Sequence, residues 1–233
     1  MAKKVASGAT HVVFDIPVGP TMKIQRFSDA EMIGDKFCLL AKRFSMTVVV
    51  DINDTRQNAG RGVGPVLEAR DVFQVLEQHK DRPLALEEKA LRLAGKLLTI
   101  CFSDSRGKTH LIGEDVAREI LISGKALEKM RDIIRVQGGN SHIQSDHLHP
   151  AHHVHEVKAL EKGHIVSLHN QQIAVIGKIL GCPMDKKAGL YLNRKLEGTV
   201  DKGDILCTLY SSDPWRLKEA IETIKTMPIY TIE

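Results

Sequence analysis

The chain has 233 residues, of which 42% are apolar, 27% charged and 4% aromatic, and its formal net charge is +4. This composition is ordinary for a soluble globular protein with one large or two small domains, and so few aromatic residues argue against a nucleic-acid-binding protein. No apolar run reaches the ~18 residues of a membrane span, so we expect a cytoplasmic protein without a membrane partner.

A strand–helix–strand pattern opens the chain. Val12 to Phe14 form a short apolar run that Pro17, Gly19 and Pro20 are expected to stop, which predicts a buried strand. Apolar residues at helical spacing over Ser28 to Phe44 predict a helix, with Ser28 or Asp29 as its N-cap. Met46 to Ile52 is a second strand of the same design, so the two strands are expected to pair in parallel and to present their loops at one edge.

The loop after the second strand carries three glycines, Gly60, Gly62 and Gly64, and Pro65 is well placed in the first turn of the following helix. The spacing GxGxG followed by proline departs from the dinucleotide fingerprint GxGxxG. Two interpretations remain open at this point. The loop is either an ion site built from backbone groups or a tight connection between a strand and a helix.

The pattern changes from helices to short strands near residue 145. Helices are predicted at 84–102 and 123–137, the second of them capped by Ser123, and residues 141–150 are predicted to be a linker. Beyond it come four short alternating strands and two helices: VHEVKAL, HIVSLH, GLYLNRKL and DILCTLYS, with QQIAVIGKIL and PWRLKEAIETI. The predicted fold class is α/β. Residues 1–145 form part of a mixed α/β domain, and residues 146–233 form an α+β, barrel-sandwich-like domain.

Histidines and cysteines raise the question of a metal site. Eight of the eleven histidines fall between His142 and His169, and His153 and His155 share one face of a predicted strand. This segment lacks cysteine or carboxylate partners at set spacing, so we favour a solvated polar segment over a metal-binding module. The four cysteines are far apart, with no CxxC pair, which predicts reduced core cysteines rather than a zinc knuckle.

The loop after the first strand offers the groups that bind a phosphate. Gly19 allows close approach of the backbone, Thr21 has a hydroxyl and Lys23 has an ammonium group. From local sequence alone, a solvated turn is an equally good interpretation.

Three sequence blocks together resemble the thymidine/pyrimidine-nucleoside phosphorylase family, and within it the branch of the AMP phosphorylases. They are KKVASGATHVVFDIPVGPTMKI, QNAGRGVGPVLEARDV and AGLYLNRKLEGTVDKGDILCTLYSSD. The resemblance extends from Lys3 to about Ile224 and corresponds to the C-terminal half of the family's proteins. Asn58 stands where that branch usually has proline.

The resemblance implies a reaction and residues that bind the substrate. Inorganic phosphate, the co-substrate, attacks C1′ of the sugar of a nucleoside or nucleoside monophosphate, and the free base and a sugar 1-phosphate result. Lys3 matches a lysine that contacts the base, and Gly19, Thr21 and Lys23 match the substrate-side loop. In the AMP branch, Thr21 and Lys23 are candidates for binding the 5′-phosphate, and IPVGPT with GPVLEARD favours AMP over thymidine.

The resemblance also implies a structural monovalent cation, which some family members hold near the glycine loop. Ala59, Gly62 and Asp71 match the positions of its ligands.

Several parts of the family's site have no match in these 233 residues. They are the phosphate-binding segment with its Lys-His-Ser/Thr motif, the arginine of the base pocket and the helical domain of the dimer interface. No catalytic residue is therefore assigned, and we expect the chain to be an inactive fragment of an enzyme that is a homodimer or higher oligomer at full length. The alternative is a non-catalytic binding or metal-binding module.

Overall fold

The computed structural model describes residues 1–104 and 112–233. The chain divides into two compact units. The first comprises residues 1–55 and 87–126, and the second comprises residues 56–86 and 127–233. The predicted α/β fold class is confirmed, and the strands form several small sheets. Within the described ranges, no helix has both the length and the apolar character needed to cross a bilayer.

The elements follow one another as α1 (Ala2–Ala6), β1 (His11–Val18), α2 (Phe27–Arg43), β2 (Thr47–Asp54), β3 (Gly62–Val63), α3 (Pro65–Leu76), α4 (Leu84–Asp104), α5 (Gly113–Ile122) and α6 (Lys125–Val136). After a short 3-10 turn (Ser145–His147) come β4 (His153–Lys158), β5 (Gly163–Leu168), α7 (Asn170–Leu180), β6 (Gly189–Leu192), β7 (Thr199–Val200), β8 (Ile205–Ser211), α8 (Pro214–Thr226) and β9 (Tyr230–Ile232).

In the first unit, β1 and β2 form the predicted parallel pair, in register from His11 opposite Thr47 to Val18 opposite Asp54. β1 continues through Pro17, the first of the three residues predicted to stop it, and ends at Val18, directly before Gly19. Proline is tolerated in an edge strand, and β2 is the one strand in the described part of the chain with which β1 pairs, apart from a single bridge between Val18 and Ile24. Apolar residues of α2 cover the pair, and the buried ones include Ala30 and Ala41.

Two predicted helix caps are wrong. α2 begins at Phe27 with Arg26 as its N-cap, and the Nε of Arg26 donates to Asp29 at 2.9 Å within the first turn. Ser123 is the C-cap of α5 instead of the N-cap of α6, because α5 ends immediately before it. In both cases the helix boundary lies one to three residues along the sequence from the predicted capping residue.

The second unit contains the strands predicted after residue 150. A four-stranded antiparallel sheet has the order β3-β6-β8-β4, and a three-stranded sheet has the order β7-β5-β9. β3, β7 and β9 were not predicted, because two or three residues show no periodicity. The core of this unit is formed by apolar side chains of both sheets and of α7 and α8, among them Ile165, Ile176, Leu180, Leu190, Leu192, Leu209 and Ala220.

The glycine-bearing loop belongs to the second unit through β3. Gly62 and Val63 pair with Tyr191 and Leu190 of β6, although about 130 residues of chain separate them. Segments from both sides of residue 145 therefore pack in one unit, and the predicted domain boundary near residue 145 stays a prediction.

Candidate functional site

The loop between β1 and α2 is a tight turn against the end of β2. The amide of Gly19 donates to the Ile24 carbonyl (3.3 Å), and the Gly19 carbonyl accepts from the amide of Met22 (3.0 Å). A Cβ atom on Gly19 would lie 2.9 Å from the Thr55 carbonyl oxygen. Glycine is therefore required here for the close approach of two backbones.

This turn brings three predicted site residues together. Gly19 is buried in it, whereas Thr21 and Lys23 are exposed. The Thr21 hydroxyl and the Lys23 ammonium have no hydrogen bond or ion pair with other residues in the described ranges, so both are available to an anion. The fourth, Lys3, is exposed on α1, the helix that precedes β1.

Two aspartates in the middle of the paired strands β1 and β2 bind helix α4. Asp15 and Asp51 lie opposite each other in the parallel pair. Lys89 contacts Asp15 at 2.8 Å, and Arg92 and Lys96 contact Asp51 at 3.0 and 2.5 Å. The sequence reasoning missed this arrangement. Its signal was the repeated aspartate in VVFDI and VVVDI, combined with basic residues one turn apart in α4.

The buried carboxylate of Asp51 remains ionised. Burial by itself would raise its pKa, but the hydrogen bonds and charges of Arg92 and Lys96 outweigh burial and lower the pKa of Asp51 below its ordinary value. A carboxyl group whose pKa is depressed by folding stabilises the folded state above its unfolded pKa, about 3.9. That stabilisation is lost as the pH falls through the folded pKa.

We therefore expect acid to weaken the first unit through Asp51. Asp51→Asn should lower the free energy of unfolding by about 2–3 kcal/mol at pH 7, because it leaves two partly exposed cations without their carboxylate. It should also reduce the further loss of stability as the pH falls below about 3.9, the unfolded pKa of aspartate. Urea unfolding at each pH measures both effects. Asp29→Asn, which removes an exposed ion pair, is the control, and equal losses in the two variants would contradict the assignment.

The glycine-bearing loop is held by one carboxylate from α3 and one ammonium group from the loop between β6 and β7. Asp71, 2% exposed, accepts the amides of Arg61 and Gly62 on Oδ2 at 2.6 and 2.7 Å. The Nζ of Lys195 donates to the carbonyl oxygens of Asn58 and Gly60, the latter at 2.8 Å. Burial, and then the charge of Arg61, lower the pKa of Lys195 to about 8.

These contacts support the interpretation of the loop as a tight connection. The amides of Arg61 and Gly62 are bound by Asp71, and the amide of Gly64 donates to Glu68 at 3.0 Å. Amides that bind carboxylates of the chain are not free to bind the phosphates of a dinucleotide.

The predicted cation ligands Ala59, Gly62 and Asp71 lie in and beside this loop. Asp71 Oδ1 is buried and has no hydrogen-bond partner among the described residues. Sequence reasoning did not assign Lys195 to this place, because nothing in its local sequence indicates a partner 135 residues earlier.

A cavity of about 540 Å³ borders the glycine-bearing loop within the second unit. Its lining includes four basic side chains and one acidic one, so it is electropositive and suits a small anion. The charged lining residues are Arg61, Lys80, Asp81, Arg82 and Lys195.

The histidine-rich segment forms an ordered strand and turns. The rings of His152 and His153 lie 4.1 Å apart, and Nδ1 of His147 is 3.2 Å from the amide of Gln144. Within residues 1–104 and 112–233, no group of three His, Cys, Asp or Glu side chains is placed to hold a metal ion.

Comparison with known proteins gives one family and a set of relatives. Residues 164–230 match the pyrimidine nucleoside phosphorylase C-terminal domain. Over 232 residues the chain is 41% identical to a Methylococcus capsulatus protein named "Putative thymidine phosphorylase", covering 100% of this chain and 43% of that protein. It is 36% identical to AMP phosphorylase 1 of Archaeoglobus fulgidus over 226 residues, 97% of this chain and 44% of that protein.

A third relative is the AMP phosphorylase of Methanospirillum hungatei, 36% identical over 233 residues, which are 100% of this chain and 44% of that protein. The resemblance predicted from the three sequence blocks is thereby confirmed. The chain spans less than half the length of these relatives.

Proposed function

We propose that this chain forms part of a phosphorylase of the thymidine and AMP phosphorylase type, and that AMP is a better substrate than thymidine. The observation that carries the proposal is similarity along the whole chain to proteins with these names. The turn at residues 19–23 supports it, because the Thr21 hydroxyl and the Lys23 ammonium group are exposed there and have no hydrogen-bond or ion-pair partner among the residues that the structure describes.

In the proposed reaction, inorganic phosphate attacks C1′ of the sugar and the base departs, leaving the free base and the sugar 1-phosphate. Lys3 would lie against the base, where its positive charge stabilises the negative charge that develops on departure. Thr21 and Lys23 would bind the 5′-phosphate, which fixes the nucleotide in the reactive orientation without taking part in bond breaking.

The 233 residues by themselves are proposed not to catalyse this reaction. They lack the Lys-His-Ser/Thr motif for the attacking phosphate. Three amides of the glycine-bearing loop are bound by Asp71 and Glu68 and cannot replace it. Residues outside this sequence would supply the phosphate site. We place the complete enzyme in the cytoplasm, in nucleotide salvage, as a homodimer or higher oligomer without nucleic-acid or membrane partners.

A chimera tests the proposal. The chain replaces the segment of the Methanospirillum hungatei AMP phosphorylase that it matches, and the product is assayed with phosphate and AMP, CMP, UMP or thymidine. We expect phosphate-dependent release of base, with a higher kcat/KM for AMP than for thymidine. Thymidine as the better substrate would overturn the preference for AMP. The 233 residues assayed alone should release no base above background.

A further inference from the structure

The ammonium group of Lys195 is bound by main-chain carbonyl oxygens of the glycine-bearing loop. Its Nζ donates to the oxygens of Asn58 and Gly60, and the neighbouring amide of Leu196 donates to Gln57 Oε1 at 3.1 Å. The loop between β6 and β7 is thus attached to the glycine-bearing loop by a side chain and by its own backbone. Both loops belong to the second unit.

A lysine ammonium and an alkali cation make the same demands on such a site. Each carries one positive charge, and each is satisfied by oxygen atoms that point toward it, as main-chain carbonyls do. Two carbonyl oxygens of the loop already accept hydrogen bonds from the ammonium group of Lys195. They stand beside Ala59, the residue at which the family resemblance placed the first ligand of a monovalent cation.

The other two positions of that predicted ligand set, Gly62 and Asp71, are hydrogen-bonded to each other. Gly62 pairs with Tyr191 as part of β3, and its amide donates to Asp71 Oδ2. The amide of Arg61 donates to the same oxygen. The carboxylate is thus oriented by two amides, which leaves its buried Oδ1 as the atom of Asp71 without a partner among the described residues.

The charges around the loop disfavour an additional cation. The carboxylate of Asp71 attracts Lys195, whereas the guanidinium of Arg61 repels it. A bound alkali ion would add a third positive charge beside one buried carboxylate, in surroundings where water screens poorly. The loop and Asp71 therefore suit the ammonium group of Lys195 better than a metal cation.

We infer that Lys195 supplies, from within the chain, the positive charge that a monovalent cation would bring to the glycine-bearing loop, so that the loop is ordered without a metal ion. The inference concerns the loop itself and does not depend on which substrate the protein acts on. It assigns Lys195 a positioning role, since the ammonium group orients the backbone from residue 57 to residue 62.

Thermal unfolding in different salts tests the inference. The wild-type chain is compared in KCl, NaCl and choline chloride at equal ionic strength, and its Tm is expected to agree within about 1 °C. Lys195→Ala should lower the Tm by about 5 °C or more in choline chloride, through loss of two charge-assisted hydrogen bonds. Part of this loss should be recovered in methylammonium chloride or KCl, because a small cation can enter the space left by the side chain.

Lys202→Ala is the matched control. Lys202 is an exposed lysine in the turn before β8, and its removal should change neither the Tm nor its dependence on the cation. If Lys195→Ala does not fold, Lys195→Arg takes its place. It retains the charge and the donors, and should be as insensitive to the cation as the wild type. A wild-type Tm that rises in KCl relative to choline chloride, and no longer does so in Asp71→Asn, would overturn the inference.

Discussion

Gly64→Ala is expected to lower the free energy of unfolding by about 3–5 kcal/mol. Gly64 is the N-cap residue of α3, with φ at +113°, a conformation that alanine adopts only with strain. A Cβ atom there would also overlap the Ala188 carbonyl oxygen, and it would lie 2.9 Å from Cys182 Sγ and 3.0 Å from Gly189 Cα. Strain and overlap act together, since the backbone of β6 would have to move.

Urea unfolding measures the loss, and Gly124→Ala is its control. Gly124 lies between α5 and α6 with φ at +79°, and a Cβ atom on it would meet nothing within 4 Å. It tests the strain of a positive φ without the overlap, so about 1 kcal/mol is expected. Equal losses in the two variants would show that the close approach of the loop and β6 does not constrain residue 64.

Lys23→Ala in the chimera is expected to lower kcat/KM for AMP by about 30- to 100-fold. A charge-assisted hydrogen bond to a phosphate contributes about 2–2.7 kcal/mol, and 1.36 kcal/mol corresponds to a factor of ten. Adenosine and thymidine have no 5′-phosphate, so their kcat/KM should change by less than about threefold. The difference between substrates separates a lost phosphate contact from a damaged protein.

Lys36→Ala serves as the matched control for Lys23→Ala. Lys36 is an exposed lysine on α2, and its removal should leave all substrates unaffected. An equal loss for AMP and adenosine in Lys23→Ala would remove the proposed role in binding the 5′-phosphate.

Features encoded over a few neighbouring residues could be predicted from the sequence. The apolar runs that became β1 and β2 were found because they are continuous, and their parallel pairing followed from the helix between them. Pro65 at the start of α3 and the turn that holds Gly19 and Lys23 were likewise local signals. The helix caps failed because α2 begins after Arg26 without a side-chain cap, and Ser123 ends α5 instead of starting the next helix.

Contacts between distant segments could not be predicted, because the local sequence does not indicate which distant residue a side chain will contact. The contacts of Lys195 depend on a loop more than 130 residues earlier. The burial of Asp51 depends on Arg92 and Lys96 of α4, about 40 residues later in the chain. In both cases the charged side chain and the groups that bind it come together only in the folded chain.

Phosphate-dependent release of adenine from AMP by the chimera is the most direct test of the central claim. The predicted result is release that requires phosphate, yields the sugar 1-phosphate in equal amount, and is absent when the Methanospirillum hungatei portion is assayed without this chain. A chimera that folds with the thermal stability of its parent and releases no base from AMP, CMP, UMP or thymidine would contradict it.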